Sequence, residues 1–129
     1  MSLSGTTKWL DIGHAHLNTM LTGLLPPLRE VFRGKHYLST NVGRASWKSL
    51  IDGSSLQWRC NREGYNVRVG GRNVRLGILA NNGNNCDSSE SWLGFGSYYG
   101  CGNIVDRDHW GDNGKKGADF YPFCYILLK

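Results

Sequence analysis

The run Tyr65-Asn-Val-Arg-Val-Gly-Gly-Arg-Asn-Val-Arg-Leu76 leaves this chain little freedom in how it starts to fold. Two alternating segments flank Gly70-Gly71, and such a glycine pair supplies the positive φ angles that a two-residue hairpin turn requires. The turn sets the register, with Val67 opposite Val74 and Tyr65 opposite Leu76. These apolar residues are expected on one inward face, with Arg68 and Arg75 on the wet one.

From Val74 to Trp110 the chain reads VRLGILANNGNNCDSSESWLGFGSYYGCGNIVDRDHW. It begins as a buried strand, breaks into an Asn-rich loop and carries Cys86 and Cys101. Between those cysteines it is mostly Gly, Ser and aromatic residues, with no helical period. A segment of this kind cannot make a core alone, so something must hold it. A Cys86–Cys101 bridge would close the loop and contribute about 3 kcal/mol on the loop-entropy account. Loops held rigid and rich in Trp, Tyr, Asn and Asp are suited to contact, which makes this the expected functional end.

The four cysteines form no CxxC and no Cys/His pair at zinc spacing. Disulfides in an oxidising compartment are the expectation. Tyr121-Pro-Phe-Cys-Tyr-Ile-Leu-Leu128 is an almost continuous apolar run, expected as a strand in the middle of the domain. Cys124 would then pair with Cys60. Before that strand, Gly111–Gly114 reads as a turn and Lys115-Lys116 as exposed. Met1–Gly5 lacks signal-peptide character, so a secreted chain would be a mature or trimmed form, and no apolar run reaches membrane length.

Upstream, Leu17, Met20, Leu21, Leu24, Leu25 and Leu28 recur at helical spacing across Pro26-Pro27. The prolines split the pattern into a helix or turn ending near Leu24 and a short helix over Leu28–Phe32, closed by Gly34. His14 and His16 could share a strand face; without a third ligand they read as polar surface. His36–Ser39 reads as a short strand. Asn41 is placed as the N-cap of a helix ended by Asp52-Gly53, with Trp47 as a core anchor.

Eighteen glycines and fifteen aromatic residues (Trp 5, Tyr 6, Phe 4) favour a turn-rich sheet fold over a helical bundle. The net charge of +5 is densest at Arg59, Arg62, Arg68, Arg72 and Arg75. No Lys/Arg run and no nucleic-acid motif accompany it, so a solvated sheet face is the better reading and nucleic acid is not an expected partner.

GRASWKSLI, Cys60-Asn-Arg-Glu-Gly-Tyr-Asn66 and VRLGILANNGNNC, followed by LGFG, CGN, DNG and a final YILLK, occur in order along the chain. Over roughly residues 28–129 this pattern resembles the fibrinogen-related domain of certain invertebrate secreted proteins, including coral skeletal organic matrix proteins. It also resembles the C-terminal part of the intelectins, calcium-dependent lectins with a Cys-x14-Cys-Gly-Asp run followed by a Trp. Cys86 and Cys101 keep that spacing, Gly102-Asn103 follows, and Trp110 falls within a residue of the expected place.

The resemblance implies one α+β domain spanning 1–129, with 1–27 outside the match. Its expected form is irregular: an antiparallel sheet, few short helices and long disulfide-tied loops. It further implies a secreted recognition module. For the lectins' calcium site, Asn81 matches a ligand-bearing Asn and Asn103 replaces an Asp. Gly83 and Asn84 stand where an acid and a His are found, and Phe95 stands at the place of a further acid. Calcium affinity follows the number of charged oxygens. Weakly bound calcium or none is therefore expected at Asn81, Asn84, Asp87 and Asn103, with Glu90 the other nearby carboxylate.

For the aromatic residues of this stretch, packing under the loops competes with ligand contact. Trp92 and Phe95 fit packing. Tyr98, Tyr99 and Trp110 lie among Gly, Asp and His and fit exposure. An exposed ring offers a flat face to the C–H side of a sugar, while nearby Asp and Asn take its hydroxyls. Asp87, Glu90, Tyr98, Tyr99, Asp108, His109 and Trp110 are the expected glycan-binding set. Asp106, Asp108, His109 and Asp112 form an acid-rich patch that a solvated turn explains equally well. With no nucleophile motif, phosphate loop or full metal triad, catalysis is the weakest reading. The competing class is a structural matrix or adhesion protein; self-association into a homo-oligomer remains open.

Overall fold

The computed structural model describes residues 10, 33–34, 36–97, 100–122 and 124–125. Six antiparallel strands follow one another across a single sheet in chain order: β1 (Leu38–Ser39), β2 (Arg59–Val69), β3 (Arg72–Asn81), β4 (Ser91–Ser97), β5 (Gly100–Trp110) and β6 (Lys116–Phe120). One short helix, α1 (Arg44–Lys48), lies between β1 and β2. The expected helices over residues 17–32, and His14 and His16, fall outside the described residues.

The β2–β3 hairpin has the register that its sequence dictates: Tyr65 pairs with Leu76, Val67 with Val74 and Val69 with Arg72. Gly70 and Gly71 both have positive φ, 52° and 82°, as the tight turn demands. The single inward face is not observed. Tyr65 and Leu76 pack with Trp47, Leu56, Ile78, Ala80 and Leu93 beneath α1. Val67, Val69 and Val74 pack with Leu79, Trp92 and Ile104 in a second cluster. Asn66 separates the two sets on β2 with φ 52°, a left-handed conformation that breaks the alternation of the strand.

Beyond that break the hairpin tip curls over the sheet. The Arg72 guanidinium lies 5.2 Å from the Trp92 ring centroid and its Nη2 is 2.6 Å from Asp106 on β5. The turn at Gly70 is pressed against the backbone of Asp87 and Ser88, leaving no room for a Cβ.

A row of glycines crosses the sheet. Gly64 pairs with Gly77, Gly77 with Gly94, and Gly94 with Gly102. A Cβ at Gly94 would collide with the Leu76 carbonyl, and one at Gly77 with the Leu93 carbonyl. Both residues have positive φ, 148° and 159°. Here glycine serves close approach of backbones within strands, not turns.

α1 is capped from a distance. Its N-cap is Gly43, not Asn41, and no cap side chain bonds to it. The Glu63 carboxylate on β2 accepts the backbone N–H of Val42 and Gly43, the Thr40 hydroxyl and the Trp47 indole N–H, at 2.7–3.1 Å. These bonds fasten the helix to the sheet and bury Trp47.

The disulfides differ from the expected pairing. Cys60 joins Cys86 and Cys101 joins Cys124, with Cα separations of 5.4 and 6.1 Å. The interval between Cys86 and Cys101 is not one loop, because β4 occupies seven residues of it. A strand of that length spans about 20 Å, well beyond the roughly 7 Å of Cα separation that a disulfide bridges. Cys60 opens β2 next to the end of β3, the end that the loop carrying Cys86 leaves from. Of the expected terminal strand, Tyr121, Pro122, Cys124 and Tyr125 lie outside any strand, and the rest falls outside the described residues; among the described residues the last strand is β6, at the sheet edge. β6 runs from Trp110 towards Asn103, so the chain after Phe120 heads for Cys101 and away from Cys60.

Non-reducing peptide mapping is expected to recover Cys60–Cys86 and Cys101–Cys124. The bridges close separations of 26 and 23 residues, so losing either should lower stability by about 3 kcal/mol; a recovered Cys86–Cys101 peptide would refute the topology. Gly94→Ala should cost about 3 kcal/mol or more in denaturant unfolding, through collision and backbone strain together. Gly71→Ala, at an open turn with nothing within 4 Å, should cost only about 1 kcal/mol.

Candidate functional site

The end of the sheet where β2 starts and β3 ends also receives the start of β4 and the end of β5. Segment 53–58 is zipped to this end. The Asn103 side chain, fully buried, accepts the Ser55 N–H at 2.7 Å and donates to the carbonyls of Ser55 and Trp92 at 2.7 and 2.9 Å. Gln57 N–H donates to the Ser91 hydroxyl at 2.9 Å. The same segment lies against 111–113. Asn113 Nδ2 donates to the Gly53 carbonyl, Ser55 abuts Gly111, and Asp112 N–H donates to the Leu56 carbonyl at 2.9 Å. Trp58 is thereby carried to the end of the molecule where Trp110 finishes β5.

Trp58 and Trp110 are 66% and 61% exposed, against 1% for Trp47 and 4% for Trp92. Each stands beside an irregularity that turns it out of the sheet. Just after Trp58, the pairing moves from Arg59↔Asn81 to Arg62↔Leu79, which inserts one extra residue in β2. Cys60 and Asn61 take positive φ there, 71° and 41°. Before Trp110, the register jumps from Val105↔Ala118 to Trp110↔Lys116. Bulges of this kind re-aim side chains and concentrate at functional rims. Asn61 adds a tie, its Nδ2 donating to the Trp58 carbonyl at 3.3 Å.

Of the residues expected to contact a ligand, Glu90, Asp108, His109 and Trp110 gather at this end. Glu90 accepts the Asp106 N–H through its backbone carbonyl at 2.8 Å, and its Oε2 lies 3.7 Å from His109 Nε2. That gap is too long for a hydrogen bond, and neither Glu90 Oε2 nor His109 Nδ1 has a hydrogen-bond partner among the described residues. Asp108 stands 84% exposed, 4.0 Å from the Lys116 ammonium. Asp87 is exposed on the 82–90 loop beside the hairpin turn, accepting from Asn85 Nδ2 at 3.1 Å. Tyr98 and Tyr99 lie outside the described residues. Ser97 and Gly100, which bracket them, pair at the opposite end of the sheet from Trp110. Trp58, outside the expected set, stands at the same end of the sheet as Trp110. Trp58 escaped the sequence reading because a Trp just before a strand passes for core; its polar flanks, Gln57 and Arg59, were the available signal.

The acid-rich patch divides by role. Asp106 is held by Arg72. Asp112 accepts from Arg44 Nη2 at 2.5 Å, from the Lys48 ammonium and from the Leu56 N–H. Burial works to raise the Asp112 pKa, but the hydrogen bonds from Lys48, Arg44 and Leu56, with the Arg44 charge, outweigh it and hold the carboxyl below its usual range.

The four residues considered for calcium do not converge as free donors. Asn103 spends its amide on Ser55 and Trp92. Asn81, also buried, donates to the Asn85 carbonyl at 3.0 Å and accepts the Asn82 N–H at 2.8 Å. Asn84 and Asp87 remain exposed on the loop. Among the described residues no three His, Cys, Asp or Glu side chains cluster as a metal site.

Fold and site together define a small antiparallel-sheet domain tied by two disulfides, with a rigid end that presents two tryptophans. No family model, curated protein or solved structure matches the chain.

A depressed carboxyl pKa stabilises the fold at every pH above the unfolded value, and the contribution disappears as pH falls through the folded value. Stability is therefore expected to decline as acid is added below about pH 4, the ordinary Asp range. Asp112→Asn should lower neutral-pH stability by about 2 kcal/mol and flatten that part of the acid limb, as read by denaturant unfolding across pH.

Proposed function

We propose that this chain is a non-catalytic, extracellular carbohydrate-binding module of the fibrinogen-related, intelectin-like kind its sequence resembles. The observation that carries the proposal is the pair of outward tryptophans, Trp58 and Trp110, at one stiffened end of the sheet. Leaving two indoles in water forgoes the burial that would otherwise stabilise the fold, and exposed apolar surface rimmed by polar groups is typical of binding sites. An indole face fits the C–H face of a pyranose, and Glu90, Asp108 and His109 beside it supply acceptors and donors for hydroxyls. The ligand is bound directly by these groups, with no bridging ion.

Two disulfides and no free cysteine suit an oxidising setting outside the cell. No helix among the described residues is long and apolar enough to cross a membrane.

A glycan array read in calcium and again in chelator is expected to give the same bound sugars in both. Trp58→Ala and Trp110→Ala should each weaken binding about tenfold or more, as truncation of an aromatic anchor does. Both rings are mostly in water, so neither change should move stability by more than about 0.5 kcal/mol. Undiminished binding by both variants would remove the tryptophan end as the site. Failure of the parent to bind any glycan would favour the adhesion class, in which the same rings meet a protein partner.

A further inference from the structure

The sequence holds two Asn-Gly dipeptides, Asn82-Gly83 and Asn113-Gly114, and the structure treats them in opposite ways. Asn113 is fastened at both ends of its amide: Nδ2 donates to the Gly53 carbonyl at 3.2 Å, and Oδ1 accepts the Lys115 N–H at 3.0 Å. The following N–H, that of Gly114, donates to the Gly111 carbonyl at 3.1 Å. Asn82 is exposed on the loop after β3, and no described residue bonds to its amide or to the Gly83 N–H. Its own backbone N–H is steadied by Asn81 Oδ1, which leaves the side chain free to turn towards Gly83.

We propose that Asn82 is a site of spontaneous deamidation that adds a negative charge to the 82–90 loop, while Asn113 is protected by the fold. The Gly83 backbone nitrogen attacks Asn82 Cγ. A bond forms between Gly83 N and Cγ, and the Cγ–Nδ2 bond breaks. The Nδ2 group leaves as ammonia with the proton given up by Gly83 N. Water then opens the cyclic imide at either carbonyl, giving aspartate or isoaspartate. The net change is one water consumed and one ammonia released, with no oxidant or reductant. Glycine at position 83 has no Cβ to obstruct ring closure and the widest backbone freedom to reach it. The same closure at Asn113 requires three hydrogen bonds to break first. The product lowers the formal charge of +5 by one. In the isoaspartyl form it also lengthens the backbone by one carbon between Asn81 and Cys86, within the loop that the Cys60–Cys86 bridge holds.

The test uses the intact, disulfide-bonded chain aged in mildly alkaline buffer, with peptide mapping that separates Asn, Asp and isoaspartyl forms at both sites. Conversion at Asn82 should run roughly tenfold or more ahead of Asn113, the order expected from the bonds that must open. In reduced, urea-unfolded protein the two sites should convert at similar rates. Gly83→Ala should slow conversion of Asn82 in the folded chain; the added methyl presses only on the flexible Asn85 side chain, so the loop can accept it. Equal rates at the two sites in the folded protein would overturn the proposal. So would Asn82 remaining intact in the folded chain while it converts in the unfolded one.

Discussion

The glycine row from Gly64 through Gly77 and Gly94 to Gly102 is the contact on which the rest of the sheet depends. Four strands meet there backbone to backbone, with carbonyls standing where a side chain would be on any other residue. A Cβ at Gly94 or Gly77 has nowhere to go, so the strands can approach this closely only with glycine at these positions. The left-handed residue Asn66, two residues along β2 from this row, divides the strand's apolar residues between two clusters. Tyr65, Leu76 and Leu93 pack on the α1 side, while Val67, Val74, Trp92 and Ile104 pack on the other.

Charge then fixes what packing leaves loose. A five-residue helix is too short to persist by itself, and α1 persists because Glu63 gathers four donors from it and its leading turn. At the helix's other side, Arg44 and Lys48 reach Asp112, and Arg44 also donates to the carbonyls of Leu56 and Gln57. This network joins α1, the 53–58 segment and the 111–114 turn at the end of the sheet where Trp58 and Trp110 are exposed. A carboxylate with two cations and a backbone donor has little conformational freedom, so the tryptophan end inherits the rigidity of the core.

The hairpin's turn and register were legible in the sequence, because a glycine pair between alternating runs admits one local solution, but the split of its apolar residues between two clusters at Asn66 was not. Trp47 and Trp92 were legible as core, and Trp110 as exposed, from the polarity of their neighbours. The glycine row was not legible. Gly64, Gly77, Gly94 and Gly102 are dispersed in sequence and become a row only once four strands are in register, so composition alone read them as turns. The disulfides failed for a related reason: spacing counts residues, whereas pairing depends on which end of a strand a cysteine occupies. Cys86 and Cys101 are close along the chain and separated by the length of β4. Likewise Asp106 and Asp112 resemble a ligand patch in one dimension and prove to be anchors for Arg72, Arg44 and Lys48 in three.

Strain and restraint coincide at the tryptophan end. Cys60 and Asn61 hold left-handed backbone conformations side by side, and for a cysteine that conformation costs on the order of 1 kcal/mol or more. Two constraints keep it in place. The bridge to Cys86 fixes Cys60 against the loop, and Arg44 donates to Asn61 Oδ1 at 2.6 Å. The bulge they maintain faces Trp58 away from the sheet instead of along it. The disulfide thus does more than shorten the unfolded chain: it holds the backbone in the shape that keeps an indole in solvent. The second bridge, Cys101–Cys124, lies at the other end of the sheet and ties down the segment after β6. One bridge therefore bears on the presented surface and the other on the closure of the fold, a separation of tasks that follows from which end of its strand each cysteine occupies.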